Sequence, residues 1–362
     1  MNYTLALGPF TPYWRGPQRL VLTIDGERVA DVTYRAGYNE RGITERLPRL
    51  RLEAALHLVA RFSGTSSHAH TLAFCQALEA LMAIDVPERA AVLRCVGAEL
   101  ERCAAHLYTL TDLFELLGRQ QTSDELRRLW EQVREAMRLL SGRPALLDLC
   151  LPGGVRCNID DDTRRDLLAL FGSTAQALYA LSERTIAERV LLARTVNVGT
   201  LARSVAEQYG LRGPLARASG VAADVRHDAP YAAYASLEVD TVTQEGGDVH
   251  ARLVVLLLEA FESLQIAERA LQALPDGAWE GSLPPGLPDG EGSAAVESPR
   301  GLLRYTVRSD GQRLGAVTID APHQIDRLLA RTLFVGALVD DIVLIALSPM
   351  RAPPMRKARN NP

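Results

Sequence analysis

Hydrophobic positions along the chain follow two different periods. Within 19–24 and 29–34 apolar residues alternate with polar ones, and Asp25-Gly26 between them tolerates the positive φ angles of a tight turn, which predicts a β-hairpin. Segments 303–308 and 315–320 repeat the pattern around Asp310-Gly311 and predict a second hairpin near the C-terminus. Between the hairpins the period is helical. After Pro87 and before Gly118, Leu93, Val96, Leu100, Cys103, Leu107, Leu110, Phe114 and Leu117 recur at steps of three and four, one continuous stripe that predicts a long packed helix over 87–117. Shorter amphipathic stretches predict helices at about 49–61, 70–83, 122–140, 162–190 and 248–273. The order predicts an α+β protein, mainly α, with a central antiparallel helical bundle, an N-terminal β-hairpin sheet and a small C-terminal β region. Its parts are a hairpin and loop region at 1–48, the bundle at 49–274, a linker or surface loop rich in Gly, Pro, Asp and Ser at 275–296, and a C-terminal β region with a cavity segment and tail at 297–362.

Composition narrows the function classes. Forty basic and 44 acidic side chains give a net charge of −4 over 362 residues, so no general positive field exists to hold nucleic acid. The longest aliphatic stretch, 253–258, is far shorter than the roughly 20 residues of a membrane span. Met1-Asn2-Tyr3-Thr4 lacks the basic and apolar regions of a secretory signal, and a cytoplasmic location is expected. Five cysteines (Cys75, Cys95, Cys103, Cys150 and Cys157) contain no C-x-x-C pair, which argues against a disulfide framework and a thiolate metal cage. Cys95 and Cys103 read as small buried side chains in the long helix.

Four local features could carry chemistry. Gly8-Pro9, Pro12 and Gly16 make a turn-rich entry to the first predicted strand, and by composition this is only a loop. Gly37-Tyr38 to Arg41-Gly42 reads as a connecting loop with exposed ions. Arg61, Ser63, Gly64, Thr65, Ser66, His68 and His70 precede a predicted helix, as an N-cap with its approach or as the start of a metal site that would need further ligands. Glu99, Arg102 and His106 lie at spacings of three and four on one face of the long helix; a solvated row is the default and a buried ion-paired row the alternative. None is a catalytic signature alone, and no Walker loop, dinucleotide fingerprint, G-x-S-x-G or carboxylate–histidine metal motif is present.

Taken together and in this order, the features resemble one superfamily. It unites the D-type subunit of respiratory complex I, the quinone-reducing NADH dehydrogenase, with the large subunit of membrane-bound nickel–iron hydrogenases. Gly8-Pro9 and Pro12 are similar to G-P-x-H-P, and Gly37-Tyr38 with Arg41-Gly42-Ile43 to G-Y-x-H-R-G-[IF]-E-K. Segment 61–70 is similar to E-R-x-C-G-x-C-S-x-A-H. Further blocks follow in register: Val86-Pro87 with Arg89, Glu99 with Arg102 and His106, and Pro152-Gly153-Gly154. Next come Arg217 with Gly220, Asp224 with Arg226, Gly247-Asp248, and Glu297-Ser298 with Arg300-Gly301.

The departures from the pattern matter as much as the matches. The resemblance implies four nickel-site cysteines, and their positions here hold Ser63, Ser66, Met350 and Pro353. Neutral oxygens, a thioether and a proline do not replace four thiolates, so nickel and hydrogen activation are not expected. In the quinone-reducing branch a histidine and a tyrosine hold the headgroup; the matching positions are Thr11 or Arg15, and Gly64. Asn39 and Thr44 replace the histidine and glutamate of the loop motif. The resemblance places Arg61 and His106 beside the [4Fe-4S] cluster of a small partner subunit, where a cation and an imidazole would raise its potential.

The chain itself is expected to bind no cofactor. The first reading is therefore a subunit of a membrane-associated, energy-converting oxidoreductase, related to NADH:quinone oxidoreductase and hydrogenase. It would contact the small iron–sulphur subunit, other peripheral-arm subunits and antiporter-like membrane subunits, on the cytoplasmic side of the membrane and peripheral through those partners. Arg15, Tyr38, Ser63, Ser66, His68 and His70 would line an acceptor cavity, with a quinone as one acceptor. The cavity requires 61–70 to meet 345–353. The second reading is a catalytically silent scaffold linking a cytosolic arm to an ion-translocating module, and a third is a metal site rebuilt around His68 and His70.

Overall fold

The structure, a computed structural model, describes residues 2–10, 18–35, 41–322 and 326–349. The chain opens with a three-stranded antiparallel sheet of β1 (Asn2–Leu7), β2 (Arg19–Asp25) and β3 (Arg28–Arg35) in that spatial order. Leu20, Leu22 and Ile24 alternate onto one face of β2 and are fully buried, which is why the hairpin forms where its period predicts it. The hairpin period gives no sign of β1, which joins as an edge strand, pairing Tyr3 with Ile24 and Leu5 with Leu22.

Helices follow: α1 (Ile43–Arg46), α2 (Leu52–Ala60), α3 (Ser67–Met82), α4 (Glu88–Leu116) and α5 (Gln120–Ser141). The two-residue strands β4 (Cys150–Leu151) and β5 (Gly154–Val155) form a small hairpin. Then come α6 (Asp161–Ile186), α7 (Arg189–Thr195), α8 (Arg203–Gln208), α9 (Pro214–Arg217), α10 (Val225–Asp228) and α11 (Val249–Gln272). The helix expected at 162–190 is thus two, broken at Ala187-Glu188.

α4, α5, α6 and α11 make the bundle, and long-range bonds fix their directions. Ser123 donates to the Thr111 carbonyl between α5 and α4, and Thr174 to Gln132 between α6 and α5. Arg164 reaches the Gln272 carbonyl and Tyr179 packs on Phe261, so α6 and α11 run antiparallel. Seven of the eight stripe residues on α4, Leu93 to Phe114, are fully buried, each burial worth about 1.5–3 kcal/mol. Cys95 and Cys103 are buried as expected.

The C-terminal region is a second antiparallel sheet of β6 (Asp289–Ser298), β7 (Gly301–Asp310) and β8 (Leu314–Asp320). The anticipated hairpin is β7–β8, but the segment expected as a surface loop over 275–296 ends in β6. Its glycines read as loop, and one of them serves packing. α3 lies against this sheet at Gly292, where a Cβ would stand 2.2 Å from the Ala77 carbonyl oxygen and 2.5 Å from the Leu81 nitrogen. Gly292→Ala is expected to push β6 off α3 and cost about 1–3 kcal/mol, read as a lowered melting temperature. Of the two last helices, α12 (Arg327–Phe334) returns to the N-terminal sheet, where Arg331 pairs with Asp31 of β3, and α13 (Ile342–Leu347) packs on α4. No helix among the described residues is long and apolar enough to cross a membrane.

Candidate functional site

The loop between α2 and α3 and the first turn of α3 carry most of the anticipated site residues. Ser63 and Ser66, nearly inaccessible, both accept hydrogen bonds from one guanidinium: Arg300 Nη2 lies 3.2 Å from Ser63 Oγ and 3.0 Å from Ser66 Oγ. Arg300 Nη1 reaches Thr65 Oγ1 at 3.3 Å. Arg300 sits in the tight turn between β6 and β7, fixed by Ser298, whose hydroxyl donates to the Gly301 carbonyl and accepts from the Arg300 N–H. A guanidinium only donates, so the serine oxygens are the acceptors.

His68 and His70 lie inside α3 rather than before it, two residues apart and therefore on diverging faces. His68 Nε2 faces the Arg94 carbonyl at 2.9 Å, which assigns the proton to that nitrogen, and its Nδ1 lies 3.7 Å from Cys150 Sγ. Gly97 on α4 makes room for the ring, since a Cβ there would stand 2.8 Å from His68 Cε1. His70 Nδ1 meets the Tyr305 hydroxyl at 2.8 Å, and its ring packs on Phe62. Burial lowers both imidazoles, His68 to about 4, where the nearby Arg94 charge adds to the effect, and His70 to about 3, aided by the Arg300 charge. The two rings are engaged separately, one with α4 and one with β7, and form no chelate.

α3 has no side-chain cap of its own. Glu101, from the middle of α4, supplies it: Oε1 accepts the His68 N–H at 2.6 Å and Oε2 the Ala69 N–H at 2.8 Å. Burial pushes this carboxyl up to about 7 against the pull of those two N–H groups. The partners are 32 and 33 residues apart in sequence. The available signal was an acidic residue flanked by Leu100 and Cys103 of the apolar stripe.

Arg61 and His106 differ in exposure. Arg61 ends α2 with its side chain 48% exposed, bonded to the His57 carbonyl at 2.9 Å and to Asp148 at 3.4 Å. His106 has no exposure in this chain. Its Nε2 lies 2.8 Å from Glu259 Oε2 on α11. Burial lowers this imidazole although the carboxylate opposes that.

His106 belongs to a buried ionic network, and the solvated row is corrected to the buried one. Arg102 bonds the Glu297 and Ser298 carbonyls at 2.6 and 2.9 Å and faces Glu99 at 3.3 Å. Arg226 pairs with Glu99 at 2.9 Å and Asp224 at 2.7 Å. Arg217 pairs with Glu259 at 2.6 Å and Glu297 at 2.8 Å. Burial raises all four carboxyls; the arginines overcome this at Glu99, Asp224 and Glu259, the last held at about 2, whereas Glu297, also beside the Asp224 charge, stays above its ordinary value. Sequence blocks as distant as Glu99 and Glu297 thus converge on one cluster. Residue-level periodicity does not reveal this, because every partner is remote along the chain.

Of the segment 345–353, residues 345–349 are described; Ser348 accepts from Arg252 Nη1 at 2.8 Å, and Arg252 Nη2 also bonds the Gly247 carbonyl at 2.8 Å. Arg15, Tyr38, Met350 and Pro353, with Thr11 and Asn39, lie outside the described residues.

The model of the 49 kDa subunit of respiratory-chain NADH dehydrogenase matches residues 126–285. A D-type subunit of the NADH-quinone oxidoreductase of Salinispora tropica is 33% identical over 350 residues, 95% of this chain and 90% of that protein. The chain belongs to this family of NADH-quinone oxidoreductase subunits. The family extends to hydrogenases: the carbon monoxide-induced hydrogenase of Rhodospirillum rubrum is 29% identical over 352 residues, 96% of this chain and 97% of that one. A chain of the membrane-bound sulfane sulfur reductase, an archaeal respiratory membrane complex, superposes with a TM-score of 0.91 and 26% identity over 97% of both chains. The expected α+β, mainly helical architecture is the architecture of that neighbour.

Proposed function

We propose that this chain is the large subunit of a membrane-associated, energy-converting oxidoreductase complex in which it shapes an electron-acceptor cavity without nickel. The observation that carries the reading is Arg300, clamped on Ser63 and Ser66. These residues stand where the resemblance puts two thiolate ligands. Hydroxyl oxygens already turned toward a guanidinium offer neither the charge nor the softness that nickel needs, and a dication between them would face Arg300. The donor set does not fit the metal.

Electrons would come from a [4Fe-4S] cluster in a small partner subunit, with other peripheral-arm and antiporter-like membrane subunits completing the complex on the cytoplasmic side of the membrane. Arg61 is the cation exposed to meet such a partner. His106 would act only through the network behind it. The acceptor would be a quinone or, following the sulfane sulfur reductase neighbour, a polysulfide.

The test is mild-detergent purification of the complex from its host. Iron–sulphur spectroscopy and cluster oxidation by a short-chain quinone or a polysulfide would follow. Recovery with a cluster-bearing subunit oxidised by either acceptor supports the reading. Recovery with membrane subunits but no cluster protein replaces it with the scaffold reading. In the assembled complex Arg61→Gln is expected to make the cluster potential more negative, because the lost positive charge favoured the added electron. An unchanged potential would place Arg61 away from the cluster.

A further inference from the structure

Five arginines are buried among the described residues, and four of them have carboxylate partners. Arg94 pairs with Glu79 and Arg102 faces Glu99, while Arg217 and Arg226 sit among Glu259, Glu297, Glu99 and Asp224. Arg252, in the first turn of α11 and 1% exposed, is the exception. Every partner its guanidinium has among the described residues is a neutral oxygen. Nη1 donates to Ser348 Oγ at 2.8 Å, and Nη2 donates to the Gly247 carbonyl at 2.8 Å and to the Gly199 carbonyl. Nε is buried without an acceptor. The acid nearest in sequence, Asp248, is committed to capping: Oδ1 accepts the Ala251 N–H and Oδ2 the Asn197 N–H, each at 2.8 Å.

A guanidinium taken out of water without a counter-charge is costly, and carbonyl and hydroxyl dipoles offset only part of that cost. The contrast with the other four is direct. Their carboxylates hold them above the ordinary arginine value, whereas burial pushes Arg252 down to about 10, with the Asp248 charge opposing only in part. Arg252 is still a cation at neutral pH. Ser348 cannot supply the missing charge, since its hydroxyl donates to the Ile345 carbonyl while its oxygen accepts from Arg252. Nor can a side chain of the segment that follows, because residues 350–362 contain no Asp or Glu.

We infer that Arg252 binds a small monovalent inorganic anion of the halide class, held by Nε–H and the second Nη1–H, which completes the contact between α11 and residues 345–349. Charge selects the ligand first. The site is short of one negative charge, so a monoanion balances it, whereas a dianion such as sulfate would leave excess negative charge beside the Gly199 and Gly247 carbonyls. Packing selects it next. A Cβ on Gly199 would stand 2.7 Å from Ile345 Cγ1, and one on Gly247 2.1 Å from the Leu201 carbonyl oxygen, so a single-atom anion suits the surroundings better than a branched oxyanion. The inference uses neither Ser63 nor Ser66 and holds whatever the electron acceptor is.

Urea unfolding of the full chain, followed by circular dichroism in mixtures of sodium chloride and sodium gluconate at one ionic strength, tests the proposal. Constant ionic strength removes general screening, and gluconate is too bulky for the site. Replacing gluconate by chloride is expected to raise the folding equilibrium constant about tenfold along a saturating one-site curve. Ser348→Asp, which sets a carboxylate beside Nη1, should be more stable than the native chain in gluconate and should lose the chloride response. Arg252→Met removes the cation and should lose the response as well; if it does not fold, Ser348→Asp decides alone. A native chain indifferent to chloride would overturn the proposal. So would a chloride response of the same size in either variant, which would be a general salt effect.

Discussion

Arg217→Met is expected to lower the stability of the fold by at least about 3–5 kcal/mol, the cost of leaving buried charge uncompensated. The side chain has no exposure and pairs with Glu259 and Glu297, with Asp224 at 3.5 Å. Methionine fills much of the volume but strands those carboxylates, so the loss is electrostatic rather than a cavity. Denaturant unfolding followed by far-UV circular dichroism measures it. The double variant Arg217→Met/Glu259→Leu should regain part of the loss, because it removes a charge that the single variant abandons. Arg165→Met, at an exposed pair with Asp162, should leave the midpoint where it is. If both single variants behaved alike, the network would carry no stability.

Acid lability with two slopes is the second large effect. His68 and His70 titrate at about 4 and about 3 when folded but near 6.5 when unfolded, so their stabilising contribution is complete above pH 6.5 and is lost as pH falls. Each removes about 1.4 kcal/mol per pH unit over that window. Glu101 works in the opposite sense. Its folded value of about 7 lies above its unfolded value of 4.5, so its contribution grows as pH falls from 7 to 4.5. The net loss from these three groups is therefore shallow, about 1.4 kcal/mol per unit, down to pH 4.5. Below that Glu101 no longer compensates, and Glu259, held at about 2, begins to lose its contribution too. Stability measured against pH should break downward near pH 4.5. Glu101→Gln should roughly double the upper slope, and His70→Phe should nearly level it. A single slope through the whole range would contradict the assignment of these three groups.

Much of the architecture is legible in the sequence, because helix periodicity and hairpin alternation are local. The α4 stripe and both hairpins stand where the residues place them. What escaped was set by distant partners. β6 begins Asp289-Gly-Glu-Gly-Ser, a loop by composition, and becomes a strand because β7 pairs with it and Gly292 admits α3. The face of Glu99, Arg102 and His106 was ambiguous for the same reason: its partners arrive from α9, α10, α11 and β6. Glu101 showed no sign of being a cap, since capping rules look three residues ahead and this bond spans 32. The site residues were recognisable as positions, but what they touch was not.

The buried network has one more consequence. Its arginines and carboxylates tie α4, α9, α10, α11 and β6 together without using Ser63 or Ser66. The scaffold is therefore independent of what Ser63 and Ser66 hold. A chain built this way can change the side chains at 63 and 66 while the ion pairs that join its helices to β6 stay in place.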